Sequence, residues 1–205
     1  MINAVLLDLG NVVLEVDFRR TFDHWAKQAG VGVEHLYERW QLDEAYRQHE
    51  IGTLAFSDYI AALSQRLEIS LPMHDWETGW NELFVGPYLQ VQQRLGSISG
   101  LLPLYAFTNT NPTHEARWRR NYPQALQHFR QIYVSSTIGL RKPDLAAYEH
   151  VAADMGFEPA EILFVDDTEE NVIGAARSGM QARWVRSEAD VVQVLDALSP
   201  GVHDR

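Results

Sequence analysis

Apolar positions along this chain fall into two rhythms. Residues 2–8 (INAVLLD) form a short, nearly continuous apolar run ending on Asp8, the pattern of a parallel strand buried on both faces. Gly10 and Asn11 break it. From about residue 17 to 86 the spacing is helical instead. Asp17 predicts an N-cap for FRRTFDHWAKQAG, which closes at Gly30. A second helix is predicted over roughly 33–49, ending near Gly52. A third starts after Thr53 or Ser57 and carries Tyr59, Ile60, Leu63 and Leu67. A fourth spans about 73–84, with Trp76, Trp80, Leu83 and Phe84 at helical spacing.

Beyond residue 86 strand and helix alternate. Residues 87–97 read as helix, 101–109 (LLPLYAFTN) as a strand ending on Thr108-Asn109, and 113–130 as helix interrupted at Tyr122-Pro123. QIYVSS (131–136) is a third strand, and a helix follows over Asp144–Met155 with Pro143 at its start. EILFVDD (161–167) is a fourth strand ending on Asp166 and Asp167. A helix from Glu169 to Ser178 closes at Gly179, QARWVR (181–186) is a fifth strand, and residues 188–198 form the last helix before a loose tail, SPGVHDR. Five strands separated by helices predict an α/β fold with a doubly wound, Rossmann-like parallel five-stranded core sheet. The helical stretch after the first strand is too long for a crossover. It is read as an inserted helical cap, residues 17–86, with 1–16 and 87–205 as the core domain.

Composition narrows the function. The chain has 205 residues, 46% hydrophobic and 22% charged, as in an ordinary globular protein. Its net charge of -11 repels a phosphate backbone, and Arg117, Arg119 and Arg120 are too short a cluster to offset that, so no nucleic-acid partner is expected. There is no cysteine, which excludes disulfides, thiolate nucleophiles and cysteine-ligated zinc. MINAVLLDLGN has neither a basic n-region nor a long apolar run, so no membrane association and a cytoplasmic location are expected. His49-Glu50 is no zinc-protease motif, because position 53 is Thr. Gly30-Val-Gly32 follows a helix and lacks a third glycine, so it is no dinucleotide loop. The six tryptophans read as packing residues, with Trp25, Trp40, Trp76 and Trp80 in the cap, where one or two could line a pocket.

Ligands of open parallel sheets sit at the carboxyl ends of the strands. Here those ends carry Asp8, Thr108-Asn109 and Asp166-Asp167, with Lys142 in the loop LRKPD. Any one of these alone is more often a turn former or a cap. Together, three converging carboxylates would repel unless a cation sat among them. Oxygen-only ligands favour Mg²⁺, which keeps room in its shell for a substrate phosphate. Lys142 and the Thr108 hydroxyl are then placed for phosphate oxygens.

The set VLLDLGNVV, YAFTN with Thr108, LRKP with Lys142 and VDDTEEN with Asn171 resembles the haloacid dehalogenase superfamily along essentially the whole chain, including a type 1 cap after the first motif. DLGNVVLEVDF, RQHEIG, FTNTN and GLRKP are similar to the bacterial α-D-glucose-1-phosphate phosphatase branch. The resemblance implies a phosphatase acting on a small phosphorylated metabolite. In it, Asp8 is nucleophile and metal ligand. The Gly10 carbonyl, Asp167 and the adjacent Asp166 also serve the Mg²⁺ site, with the direct ligand of the Asp166-Asp167 pair left open, and Thr108, Asn109 and Lys142 hold the transferring phosphoryl group. One departure stands out: phosphatases of this superfamily usually carry a second Asp two residues after the nucleophile as general acid and base, and here that residue is Gly10. The proton donor is left among a water, Asp17, His49 and Glu50. Asp17 reads better as a helix N-cap, and His49-Glu50 equally well as a surface pair at a helix C-terminus. A 2-haloacid dehalogenase also lacks the second Asp, but has no use for the Asp166-Asp167 pair. A phospho-acceptor signalling module would carry its acidic pair on the first strand and no cap. A non-catalytic binder of phosphorylated ligands is the remaining alternative. Substrate and oligomeric state stay open.

Overall fold

The computed structural model describes residues 1–199. Its elements, in chain order, begin with β1 (Ala4–Leu7) and β2 (Leu14–Val16). Five helices follow: α1 (Phe18–Ala29), α2 (Val33–Tyr37), α3 (Glu44–Glu50), α4 (Phe56–Leu67) and α5 (Met73–Asn81). Then come β3 (Phe84–Pro87), α6 (Leu89–Ile98), β4 (Leu104–Thr108), α7 (Pro112–Asn121), α8 (Pro123–Leu126), β5 (Gln131–Val134) and α9 (Ser135–Ile138). The chain closes with α10 (Leu145–Met155), a 3-10 turn (Pro159–Glu161), β6 (Ile162–Asp166), α11 (Glu169–Arg177), β7 (Gln181–Trp184) and α12 (Glu188–Ala197). All but Ser199 of the expected loose tail lies outside the described residues.

Five strands pair in parallel in the order β5-β4-β1-β6-β7, as the alternating pattern predicted. Successive side chains of a strand point to opposite faces, and both faces here are covered. Val5 and Leu7 join Val91, Leu95, Val191 and Leu195 from α6 and α12 on one side. Ala4 and Leu6 join Tyr148, Val151, Met155 and Ala175 from α10 and α11 on the other. The strand order reverses about β1, so the crevice of the fold opens at the carboxyl ends of β1, β4 and β6.

Helices α1–α5 bury an aromatic core of their own around Trp25, Trp76 and Trp80. Trp25 lies parallel to Trp80 at 5.8 Å and edge-on to Trp76 at 4.9 Å, and its indole N–H donates to the Trp76 carbonyl. The structure departs from the pattern in two places. The helix expected over 33–49 is broken between Tyr37 and Glu44. The break seats Trp40 against Phe18, Phe22 and Tyr46, and Asp43 restarts the helix by accepting from the Tyr46 amide. Local periodicity carries no trace of that tertiary demand. The second departure is an antiparallel ladder between β2 and β3, with Leu14 opposite Pro87 and Val16 opposite Phe84. The expected fourth helix therefore stops at Asn81, and the hairpin stands where the helical insertion leaves and rejoins the core.

Candidate active site

Asp8 follows β1 directly and is fixed there by its amide, which donates to the Val165 carbonyl. Asp166 ends β6 and Asp167 is the next residue. Asp8, Asp166 and Asp167 offer carboxylate oxygens that all lie within 4.8 Å of one another. Lys142 reaches into this group fully buried, its Nζ 2.6 Å from Asp166 Oδ2, 2.9 Å from Asp8 Oδ1 and 2.8 Å from the Phe107 carbonyl. One ammonium among three carboxylates leaves a charge deficit. Burial pushes the Asp8 carboxyl up to about 7, opposed by Lys142 and reinforced by Asp166 and Asp167. Burial likewise raises Asp167, with Asp166 adding to it.

The two neighbouring carboxylates are not equivalent. Asp166 has no exposed surface, and both of its oxygens are engaged: Oδ1 by the Thr168 amide and Asn171 Nδ2, Oδ2 by Lys142 and Asn171 Nδ2. Asp167 faces the cavity and accepts from Asn11 Nδ2 at 3.2 Å. Asn11 adopts a left-handed conformation (φ 51°), tolerated by its short polar side chain, whose Oδ1 accepts from the Val16 amide. Asp8 Oδ1 is buried and has the Lys142 ammonium beside it but no hydrogen bond of good geometry. Such a donor set fits a hard divalent cation, which would neutralise the surplus charge and use the free carboxylate lone pairs.

The phosphoryl-binding candidates lie beside this group. Thr108 ends β4, buried, and lines a side chamber of about 100 Å³ together with Gly10 and Asn109. Asn109 holds the Lys142 main chain from both sides: its Nδ2 donates to the Lys142 carbonyl and its Oδ1 accepts from the Lys142 amide, each at 2.9 Å. Gly10 lines the cavity over the carboxylates, and a Cβ there would meet Val16 and Asp8 only at ordinary contact distances of 3.6 and 3.9 Å. Steric crowding at Cβ is therefore not what keeps a side chain from position 10.

The cavity over the carboxylates, about 330 Å³, is walled by the core on one side and by the helical insertion on the other, through Phe18, Leu42, Tyr46, Arg47 and Glu50. Of the proton-donor candidates, Asp17 caps α1 and is paired with Arg19, away from the cavity lining. His49 and Glu50 are not a surface pair; both are buried. His49 stacks on Tyr59 and donates from Nδ1 to the Leu54 carbonyl without reaching the cavity. Glu50 does line it, with Arg141 Nη2 and Nε 2.8 and 2.9 Å from its Oε2. None of the cap tryptophans lines this cavity. Asn11, Tyr46 and Arg141 are site residues that sequence reasoning passed over. Arg141 carried a signal in its adjacency to Lys142, and Asn11 one in its place after Gly10 within VLLDLGNVV.

Residues 2–179 match the haloacid dehalogenase-like hydrolases, and the chain belongs to that family of hydrolases. It is 27% identical over 201 residues to a Mycobacterium tuberculosis phosphatase, covering 90% of this chain and 87% of that one. It is 20% identical over 209 residues to the D-ribitol-5-phosphate phosphatase of Bacteroides thetaiotaomicron, covering 97% and 98%. Its fold matches a haloacid dehalogenase family enzyme of Bacteroides thetaiotaomicron crystallised with magnesium and inorganic phosphate, with a TM-score of 0.78, 24% identity and coverage of 90% and 94%.

Proposed function

We propose that the protein is a magnesium-dependent phosphatase that hydrolyses a small phosphorylated metabolite through an aspartyl-phosphate on Asp8. The observation that carries this reading is the gathering of Asp8, Asp166 and Asp167 within 4.8 Å around a buried lysine at the carboxyl ends of the core strands. The phosphatases among its relatives support it. In the first step an Asp8 oxygen bonds to phosphorus as the ester oxygen leaves with its electron pair and takes up a proton. In the second, water attacks the same phosphorus, freeing phosphate and restoring the carboxylate. Lys142 holds a phosphoryl oxygen beside Asp8, Thr108 contributes its hydroxyl, and Asn109 keeps the Lys142 loop in register. Asp8, Asp167 and the Gly10 carbonyl would hold Mg²⁺, with the fully engaged Asp166 behind them. The ion supplies charge neutralisation for the approach of two anions.

With glycine at position 10, no carboxyl sits two residues beyond the nucleophile to protonate the leaving oxygen. An anomeric oxygen leaves as a weaker base than an ordinary alkoxide. A sugar 1-phosphate such as glucose 1-phosphate therefore suits the site better than a 6-phosphate, in keeping with the resemblance of DLGNVVLEVDF and RQHEIG. A cavity of about 330 Å³ is of the size that takes such a ligand, with Glu50, Arg47 and Arg141 available to its hydroxyl groups. The test is phosphate release from glucose 1-phosphate, glucose 6-phosphate and ribitol 5-phosphate with and without Mg²⁺. Magnesium-dependent release, fastest from the 1-phosphate, is expected; failure to release phosphate from any of them, and from an aryl phosphate as well, overturns the phosphatase reading.

A further inference from the structure

The segment RQHEIG, residues 47–52, meets the core chiefly through Glu50 and Gly52. The Glu50 side chain takes both Nε and Nη2 of Arg141 on a single oxygen, Oε2. Arg141 immediately precedes Lys142, whose main chain is already held by Asn109. The Glu50 carbonyl accepts from Ser135 Oγ at 2.6 Å, and the same hydroxyl accepts from the Thr110 amide at 2.8 Å. Thr110 stands two residues after Thr108 in the loop that leaves β4. Two residues on, Gly52 (φ +77°) packs so closely on the Ser136 carbonyl that a Cβ would collide with it. Glu50 is thus tied by its side chain to the loop carrying Lys142 and by its main chain to the loop carrying Thr108 and Asn109.

We propose that Glu50 is a positioning residue of the insertion, which sets the two phosphoryl-binding loops through Arg141 and Ser135. This rests on the phosphatase reading above. The alternative role, donation of a proton to the leaving oxygen, is the one that Gly10 leaves vacant. Burial raises the Glu50 carboxyl and the Arg141 guanidinium opposes that shift, but with both guanidinium nitrogens on Oε2 that oxygen is committed as an acceptor and points its bonds at Arg141, not at a leaving group. Fixing the loops needs only the bonds observed. Groups that orient a first layer of ligands in this way typically contribute about 10–100-fold to affinity or activity.

The two roles predict different responses along a series of aryl phosphates of decreasing phenol acidity. Glu50→Gln keeps the volume and weakens the pairing with Arg141. As a positioning residue it loses about 10–100-fold in kcat/KM, equally for every member of the series, and leaves the slope against leaving-group pKa unchanged. Magnesium-dependent binding of inorganic phosphate, measured by calorimetry without turnover, weakens in parallel. Arg141→Gln reproduces both effects, and the double variant is little worse than either single one. A loss that grows with the basicity of the leaving group would make Glu50 the proton donor and overturn the proposal. So would unchanged phosphate binding in both variants, or a double variant whose losses multiply. Wild-type protein that neither releases nor binds phosphate would overturn the phosphatase reading instead, before any variant is compared.

Discussion

Replacing Asp8 by asparagine should remove turnover and, in the absence of metal, make the fold more resistant to alkali. The amide keeps the shape of the carboxylate and cannot attack phosphorus, so activity falls by several orders of magnitude. The stability effect follows from the burial of Asp8. Its carboxyl ionises at 3.8 in an unstructured chain, and the fold pushes it up to about 7, first by burial. A carboxyl raised in this way favours the fold in acid, and the benefit is lost as pH climbs through the folded value. At about pH 5 the folded group still holds its proton while the unfolded one has largely lost it, a cost of about one pKa unit; by about pH 8 the cost is about three. The difference, about two units, is on the order of 2–3 kcal/mol. Asp8→Asn escapes that loss, and Lys142 keeps its bonds to Asp166 and the Phe107 carbonyl. Urea unfolding of both proteins in excess chelator across this range should show the variant gaining about 2–3 kcal/mol on wild type from the acid to the alkaline end. In saturating Mg²⁺ the advantage shrinks or reverses, because the ion stabilises the wild-type site by mass action. Parallel pH profiles in chelator would show that Asp8 is not a buried, strained carboxyl.

Chelation should abolish activity and Mg²⁺ should restore it better than Ca²⁺, since a small octahedral ion suits the crowded carboxylates; full activity in excess chelator would point to dehalogenase chemistry. Asp167→Ala should raise the Mg²⁺ concentration needed for half-activity far more than Asn171→Ala, because Asp167 faces the cavity while Asn171 only braces Asp166. Across aryl phosphates log kcat/KM should fall steeply with leaving-group pKa, since general acid catalysis worth about 10²–10⁴-fold is missing at Gly10; a flat slope means that another group donates the proton. Gly52→Ala should cost at least about 1–3 kcal/mol in urea unfolding, from its left-handed backbone and the collision with Ser136; an unchanged midpoint would mean that the loop does not rest on the core.

The sheet was legible because buried parallel strands are written as apolar runs, and those of β1, β4 and β6 stop on Asp8, Thr108 and Asp166. The grouping of the carboxylates was legible for the same reason, since topology alone sends strand ends to one crevice; Lys142 reaches them from the loop between α9 and α10, so its place rested on the LRKP motif instead. Three features were not. The β2–β3 hairpin is made of strands of three and four residues, one of them containing Gly86-Pro87, too short to show any alternation. The break after Tyr37 answers to Trp40 and its aromatic neighbours, which lie on other helices. Glu50 could be read equally as a proton donor or as an exposed helix end, because its partner, Arg141, is distant in sequence and meets it only in the folded molecule.

The hairpin also bears on how such a protein changes over generations. Because Leu14 lies opposite Pro87 and Val16 opposite Phe84, the five helices leave and return to the core at adjacent points. The entropic cost of closing such a loop grows only slowly with its length. The insertion can therefore be lengthened, shortened or exchanged with little disturbance to the sheet, as is general for segments whose ends lie close together. Recombination at this doorway would deliver new walls for the cavity while Asp8, Lys142 and Asp167 stay where the strands put them. A transplant would succeed only if the incoming segment brought a group to meet Arg141 and Ser135, so compatibility between donor and recipient is decided at position 50 rather than at the nucleophile.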